Sequence, residues 1–321
     1  MLRKYKVIAA AAVIALGLTS LTGCSKSDEA TAGGTIAIIT VDPANPYWKA
    51  EVDTAVATAA ELGYETTVNA HGNDPAKQTQ FIDAAISAGV KAIILDPAGA
   101  DESVGAVQKA TDAGIPVFLV NAEISAQGVA KAQIVSNNAQ GATLGAQTWV
   151  EAMGGKGEYV ELFGNPTDNN AKVRADAYHA VIDQIPGFKL LQKETANWDR
   201  AQGKAKMELM LQAHPNLKGV IAGNDEMALG AIEALRAAGK LDKVKVLGFD
   251  GNDDAVAAVI AGEMVATVLQ PIVDGTRAAV QQAHAFLTAG TMPSSEKQAI
   301  DCILITKANA AGLKGFVLTT P

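Results

Sequence analysis

The stretch GNDEMALGA, residues 223–231, sets Asp225 directly beside Glu226. Two neighbouring carboxylates are raw material for acid–base catalysis, one holding a proton while the other stays ionised. Chemistry of that kind also needs a nucleophile with its base, a metal or a leaving-group acid. The four histidines, His71, His179, His214 and His284, lie far apart and form neither HxxxH nor HExxH, so no metal site is expected. Neither GxSxG nor GxxxxGK[ST] occurs, which disfavours hydrolases built on that elbow and phosphate-cradling NTPases. Gly154, Gly155 and Gly157 in MGGKGEY follow a helical pattern and precede a strand, the wrong side for a dinucleotide fingerprint. No catalytic residue, no metal and no cofactor are expected, and the protein reads as a non-enzyme.

The residues that stand out instead are amides, carboxylates and rings at the ends of β-branched runs. From residue 35 onward, runs such as TIAIITV (35–41), ETTVNA (65–70), AIILDP (92–97) and PVFLVN (116–121) alternate with Ala-rich helical stretches such as 46–62 and 225–239. AQIVSN (132–137), EYVELFG (158–164), KLLQKETA (189–196), GVIAGN (219–224), VKVLGFD (244–250) and VATVLQ (265–270) continue the series. Mostly apolar runs of this sort suit parallel strands covered on both faces. So many strands exceed one ordinary open sheet, and the reading is an α/β protein of two doubly wound, Rossmann-like domains. The seam falls near 137, where one strand follows another with only the polar turn AEISAQGVAK between them, a place at which the chain can cross between sheets.

Ligands of doubly wound sheets bind beyond the carboxyl ends of the strands. At those ends stand Asn45, Asp96, Asn121, Asn165, Asn224, Asp250 and Gln270, nearly all suited to hydroxyl groups. One such residue is more often a helix cap or turn former; seven at one topological position point to a ligand. In a chain only 5% aromatic, Tyr47 and Trp48 follow the first strand and Trp198 the seventh, as exposed rings able to stack on the C–H face of a sugar or polyol. Trp149 lies mid-helix and reads as core.

The 321 residues are 49% hydrophobic with a net charge of -8, so the chain is globular and has no electrostatic footprint for nucleic acid. Arg3, Lys4 and Lys6 precede an apolar run from Val7 to Leu18, the pattern of an export signal over residues 1–23. Within it LTGC resembles the bacterial lipobox, whose Cys, here Cys24, becomes the acylated first residue of the mature protein. Residues 24–34 read as a flexible tether. The other cysteine, Cys302, reads as a small buried hydrophobe within a strand.

From Thr35 to Ile305 the chain resembles the ribose-binding-protein branch of the periplasmic sugar-binding proteins of ABC importers. The residues that carry the resemblance are NPYW after the first strand, DPAGAD (96–101), NDEMALGA, GFDG (248–251) and ATVLQ (266–270). It implies two lobes, 35–136 with 271–301 and 137–270 with 302–321, joined at three crossings and closing on a ligand. It also implies contacts from Asn45, Tyr47 and Trp48 on one lobe, and from Arg174, Trp198, Asn224, Phe249, Asp250 and Gln270 on the other. Where ribose binders of this branch carry an Asp-Arg pair, the sequence has Asn121 and Ala122, with Glu123 the nearest charged residue. The Arg fork is lost, and the pocket is expected to favour a tetritol, a pentitol or an unusual pentose over ribose.

Within that picture Asn224 reaches the ligand, Asp225 caps the following helix and Glu226 complements its positive end. The implied partners are a small polyhydroxylated ligand and an ABC membrane permease, for an exported, lipid-anchored monomer. A sensing role that feeds a chemoreceptor or kinase stays open. A repressor's ligand core shares the architecture but is set aside by the export signal.

Overall fold

The β-branched runs become the inner strands of two parallel sheets. The computed structural model describes residues 33–319, all within one unit, Thr31–Pro321. The expected signal segment, the lipobox with Cys24, and most of the tether lie outside the described residues.

The first sheet holds β1 (Thr35–Thr40), β2 (Glu65–Ala70), β3 (Ala92–Leu95), β4 (Val117–Asn121), β5 (Ala132–Ser136) and β11 (Lys297–Ile300). Their order is β11-β5-β4-β3-β1-β2, and every neighbouring pair is parallel. Ile36 pairs with Thr66 on one side and Ala92 on the other. The central strands β3 and β4 are buried at every position, whereas β2, at the edge, is mostly exposed. The second sheet, β7-β6-β8-β9, contains β6 (Gly157–Phe163), β7 (Phe188–Thr195), β8 (Gly219–Ala222) and β9 (Lys245–Leu247), again parallel. Bridges at Leu247–Ala266 and Asp250–Leu269 extend it to β10 (Thr267–Leu269), which pairs antiparallel with β12 (Ile303–Ile305).

Both sheets therefore wind in the same sense, the second strand outside the first and the third on its other flank. The reversal falls between β1 and β3 in one sheet and between β6 and β8 in the other, the points where a crevice opens at the strand ends. The helices that follow, α1 (Pro46–Glu61), α5 (Asn169–Ile182) and α7 (Asp225–Ala237), are capped by Asn45, Asp168 and Asn224. The remaining helices are α2 (Pro75–Ala88), α3 (Val104–Asp112), α4 (Asn138–Ala152), α6 (Arg200–Ala213), α8 (Asp253–Ala261) and α9 (Ile272–Ala289). Trp149 of α4 is fully buried against Tyr159 and Phe188, as expected of core.

Some expectations need correction. The turn 122–131 does not carry the chain between sheets: β4 and β5 are parallel neighbours, and the crossing follows Ser136. The runs at 244–250 and 265–270 shrink to 245–247 and 267–269, because Gly248 to Asp250 leave the ladder and Asp250 takes a φ of 134°. Cys302 is buried and free but lies between β11 and β12, not within a strand. The chain changes sheets there and its backbone cannot ladder; the Cys302 N–H donates instead to Gln140 Oε1 at 2.9 Å. Burial pushes its thiol up to about 12.

Candidate functional site

The facing strand ends line a small, partly open cavity. On the side of the first sheet, Asn45 Oδ1 accepts from the Tyr47 N–H at 2.9 Å, and Pro46 opens α1. This cap fixes Tyr47 and Trp48 in the first turn, where both meet the cavity. The Tyr47 hydroxyl donates to Asn121 Oδ1 at 3.0 Å, and Asn121 Nδ2 donates to Asp96 Oδ2 at 2.8 Å. Asn121 holds a φ of 67°, a left-handed conformation that asparagine tolerates better than most residues.

On the opposite side the buried guanidinium of Arg174 is held from several directions. Its Nε donates to Asn138 Oδ1 at 2.7 Å and its Nη1 to the Gly223 carbonyl at 2.8 Å. The guanidinium carbon lies 4.0 Å from the centre of the Phe249 ring and 5.2 Å from that of Trp198. Asp250, also buried, stands 3.5 Å away and accepts from Gln270 Nε2 at 2.7 Å. Burial raises the Asp250 carboxyl well above the usual range, and the Arg174 charge opposes that shift. Gln270 Oε1 and Trp48 Nε1 are buried without a partner. Buried polar atoms with unused bonding capacity beside a cavity are points to which a polar ligand can bond.

Trp198 occupies a slot made by two strand-end glycines. A Cβ on Gly164 would stand 2.1 Å from the indole, and one on Gly223 would stand 3.0 Å away. Asn197 and Trp198 both take positive φ, 51° and 65°, which turns the ring into the cavity.

Asn45, Tyr47, Trp48, Asn121, Arg174, Trp198, Asn224, Asp250 and Gln270 thus converge as read from the sequence. Glu123 and Phe249 do not line the cavity. Glu123 pairs with Lys297 at 3.1 Å, and Phe249, wholly buried, lies flat against Arg174 as its support. The rings read as exposed are 3%, 8% and 4% accessible at Tyr47, Trp48 and Trp198, because the two sides close over them. Asp168 and Asn170 line the cavity and were missed. The available signal was TDNN just before a helical stretch; Asn165, chosen there, faces a wider outer cleft.

The opening pair of carboxylates has a different part from the one expected. Asn224, not Asp225, caps α7, its Oδ1 accepting from the Met227 N–H at 3.0 Å, and it still meets the cavity. Asp225 lies one residue inside the helix and reaches across to the loop after β9. It accepts from the N–H groups of Gly251 at 2.7 Å and Asn252 at 2.9 Å, and from the Thr267 hydroxyl at 2.7 Å. Glu226 forms a two-pronged pair with Arg200 at 2.8 Å. Among the described residues no cluster of His, Cys, Asp and Glu suited to a metal is found.

Amide, carboxylate and guanidinium groups walled by two indoles and a phenol can meet a run of hydroxyls from several directions. That chamber, set between the strand ends of two matching parallel sheets, defines a two-sheet α/β binding protein. Residues 36–291 match the periplasmic binding protein domain. The chain is 49% identical to a D-apiose import binding protein of Paraburkholderia graminis, across 95% of this chain and 97% of that one. It is 51% identical to one from Actinobacillus succinogenes, across 89% and 92%. The Caulobacter myo-inositol binding protein, solved with myo-inositol, superposes with a TM-score of 0.80 at 29% identity, covering 86% of this chain and 94% of that one. The chain belongs to the periplasmic binding protein family. It is an exported binding component of sugar import by an ABC permease, and not an enzyme.

Proposed function

We propose that the protein captures a small, unusual pentose, D-apiose in the first instance, and presents it to its permease in the closed form. The observation that carries this reading is the near full-length likeness to two D-apiose import binding proteins, together with a polar, ring-walled pocket in which Asn121 and Ala122 leave no guanidinium fork on the first sheet's side. D-apiose is a branched five-carbon sugar, within the class that the loss of the fork predicts. Asn45, Tyr47, Trp48 and Asn121 serve one face of the ligand. Asp168, Asn170, Arg174, Trp198, Asn224, Asp250 and Gln270 serve the other.

Two lobes, 35–136 with 271–301 and 137–270 with 302–321, close on the ligand. Two features support this division: β11 pairs with β5, and β12 pairs with β10. The sequence LTGC supports a lipid anchor at Cys24, with residues 24–34 as tether. The protein acts as a monomer. The large apolar side chains exposed among the described residues, Val68, Leu209, Ile260, Met292, Ile303 and Val317, come from separate elements.

Thermal unfolding with D-apiose, D-ribose, erythritol, xylitol and myo-inositol tests the ligand. A true ligand at a hundredfold excess over Kd adds about 2.7 kcal/mol. Stabilisation by D-ribose with none by D-apiose would show the assignment to be wrong.

A further inference from the structure

Beneath the cavity lies a buried acid that the sugar site does not use directly. Glu51, on α1 one turn beyond Tyr47, is 1% exposed, and so is Asp96 at the end of β3. The two carboxyls face each other, with the Thr40 hydroxyl beside Glu51. Glu51 Oε2 and the Thr40 hydroxyl oxygen are both buried without a hydrogen-bond partner. Two buried carboxylates side by side cannot both stay ionised, and a proton is held between them.

From this pair a chain of hydrogen bonds runs to the cavity wall. Asp96 Oδ2 accepts from Asn121 Nδ2 at 2.8 Å, and Asn121 Oδ1 accepts from the Tyr47 hydroxyl at 3.0 Å. An amide bound by a carboxylate at its nitrogen end has only one orientation available, and that orientation turns its oxygen toward Tyr47. The tyrosine proton is thereby committed to Asn121, which leaves the phenol oxygen as an acceptor.

We propose that Glu51 is a positioning residue for ligand recognition: sharing a proton with Asp96, it fixes the Asn121 amide and makes the Tyr47 oxygen an acceptor for a ligand hydroxyl. The inference rests on the reading of the cavity as a sugar site. Burial, the largest cause, raises Glu51 to about 8, and burial with the neighbouring Glu51 charge raises Asp96 well above its ordinary value. The other titratable and charged groups around the relay are Tyr47, His71, Asp168, Arg174 and Asp250. The His71 ring nitrogen lies 2.8 Å from the Asp96 carbonyl; Asp168 acts on Asp96, and Arg174 and Asp250 act on Tyr47.

Calorimetric titration with D-apiose, with the full chain and its Glu51→Leu and Glu51→Gln variants, separates positioning from bulk. Glu51→Leu is expected to weaken binding about tenfold or more, since Asp96 loses its partner and the amide its anchor. Glu51→Gln, whose amide can donate to Asp96 without a shared proton, is expected to recover affinity to within about threefold. Wild-type affinity should fall as the pH passes about 8, and the Glu51→Gln affinity should not. A parallel arm without ligand follows melting temperature against pH. A carboxyl raised in the folded state stabilises below its unfolded value and loses that contribution as pH rises, here from 4.5 to about 8. That downward slope should be present in the wild type and reduced in Glu51→Gln. If D-apiose fails to bind the wild type, the sugar assignment is wrong and the melting arm still judges the shared proton. Equal slopes in wild type and Glu51→Gln, or wild-type affinity in Glu51→Leu, would overturn the inference.

Discussion

Arg174 Nη1 and Asp250 Oδ1 face each other at 3.5 Å inside the protein, too far apart for a good hydrogen bond. Each is held back by other partners: the Gly223 carbonyl and Asn138 hold the guanidinium, and Gln270 holds the carboxylate. A buried ion pair left this loose has spare donors and acceptors, and a ligand hydroxyl can complete both. Replacing Asp250 with Ala or Arg174 with Ala strands the remaining charge, a cost of about 3–5 kcal/mol, so affinity should fall more than a hundredfold by calorimetry. Loss of less than about tenfold in both variants would remove the pair from recognition.

Asp225 should behave in the opposite way. Its carboxylate is wholly buried and satisfies two backbone N–H groups and the Thr267 hydroxyl, which ties the loop after β9 to α7. Asp225→Ala leaves those donors unmet at about 1–3 kcal/mol. Melting should drop by several degrees, while affinity measured well below the transition stays within about threefold of wild type. Burial, the largest cause, raises this carboxyl to about 6. Its contribution to stability is therefore greatest below its ordinary value of 3.8 and declines as pH rises toward 6.

Gly164→Ala tests the indole slot. The added methyl would stand 2.1 Å from the Trp198 ring, so the ring must move into the cavity or the strand must shift. We expect affinity to fall at least tenfold with a change in tryptophan emission on binding. Gly63→Ala, at a turn with open space around it and a φ of 82°, should cost stability alone.

Much of this site was readable because strand-end positions are set by topology: once β1, β4, β8 and β10 are located, Asn45, Asn121, Asn224 and Gln270 must fall near one another. What escaped depends on direction, which periodicity does not encode outside regular structure. Phe249 and Asp250 are adjacent, yet the chain has already left the ladder there, so one ring goes under Arg174 while the carboxylate faces the cavity. The left-handed turn at Asn121 sends Glu123 away to Lys297. Asp168 and Asn170 were hidden because the loop after β6 runs several residues before α5 begins, and the cap lies at its far end. Asp225 was misread by one position, since the cap belongs to the residue whose own backbone is still extended, Asn224 at ψ 174°.

The proposed anchor is tested at Cys24. Cys24→Ser should leave the precursor uncleaved or release the protein from membranes, while purified protein binds its ligand as before. Mass spectrometry of the mature N-terminus reads the result directly. An unmodified Cys24 in membrane-associated protein would show that the LTGC motif does not act as a lipobox.

Asn170 links the two sides of the cavity. Its Nδ2 donates to the Asn121 carbonyl at 3.1 Å, and its Oδ1 accepts from Asn138 Nδ2 at 2.9 Å, in the same amide set that holds Arg174. Nearby, Ala100 N–H donates to the Thr167 carbonyl at 3.1 Å, so residues 167–170 fasten one rim of the chamber. These bonds exist only while the facing sides are together, so removing one shifts the equilibrium toward the open form. The affinity of a protein that binds in its closed state is reduced by the fraction closed. Asn170→Ala should therefore weaken binding about tenfold, mainly through faster dissociation in stopped-flow measurements, with little change in melting temperature without ligand. A slower association rate with unchanged dissociation would show instead that Asn170 guides the ligand in and does not hold the rim shut.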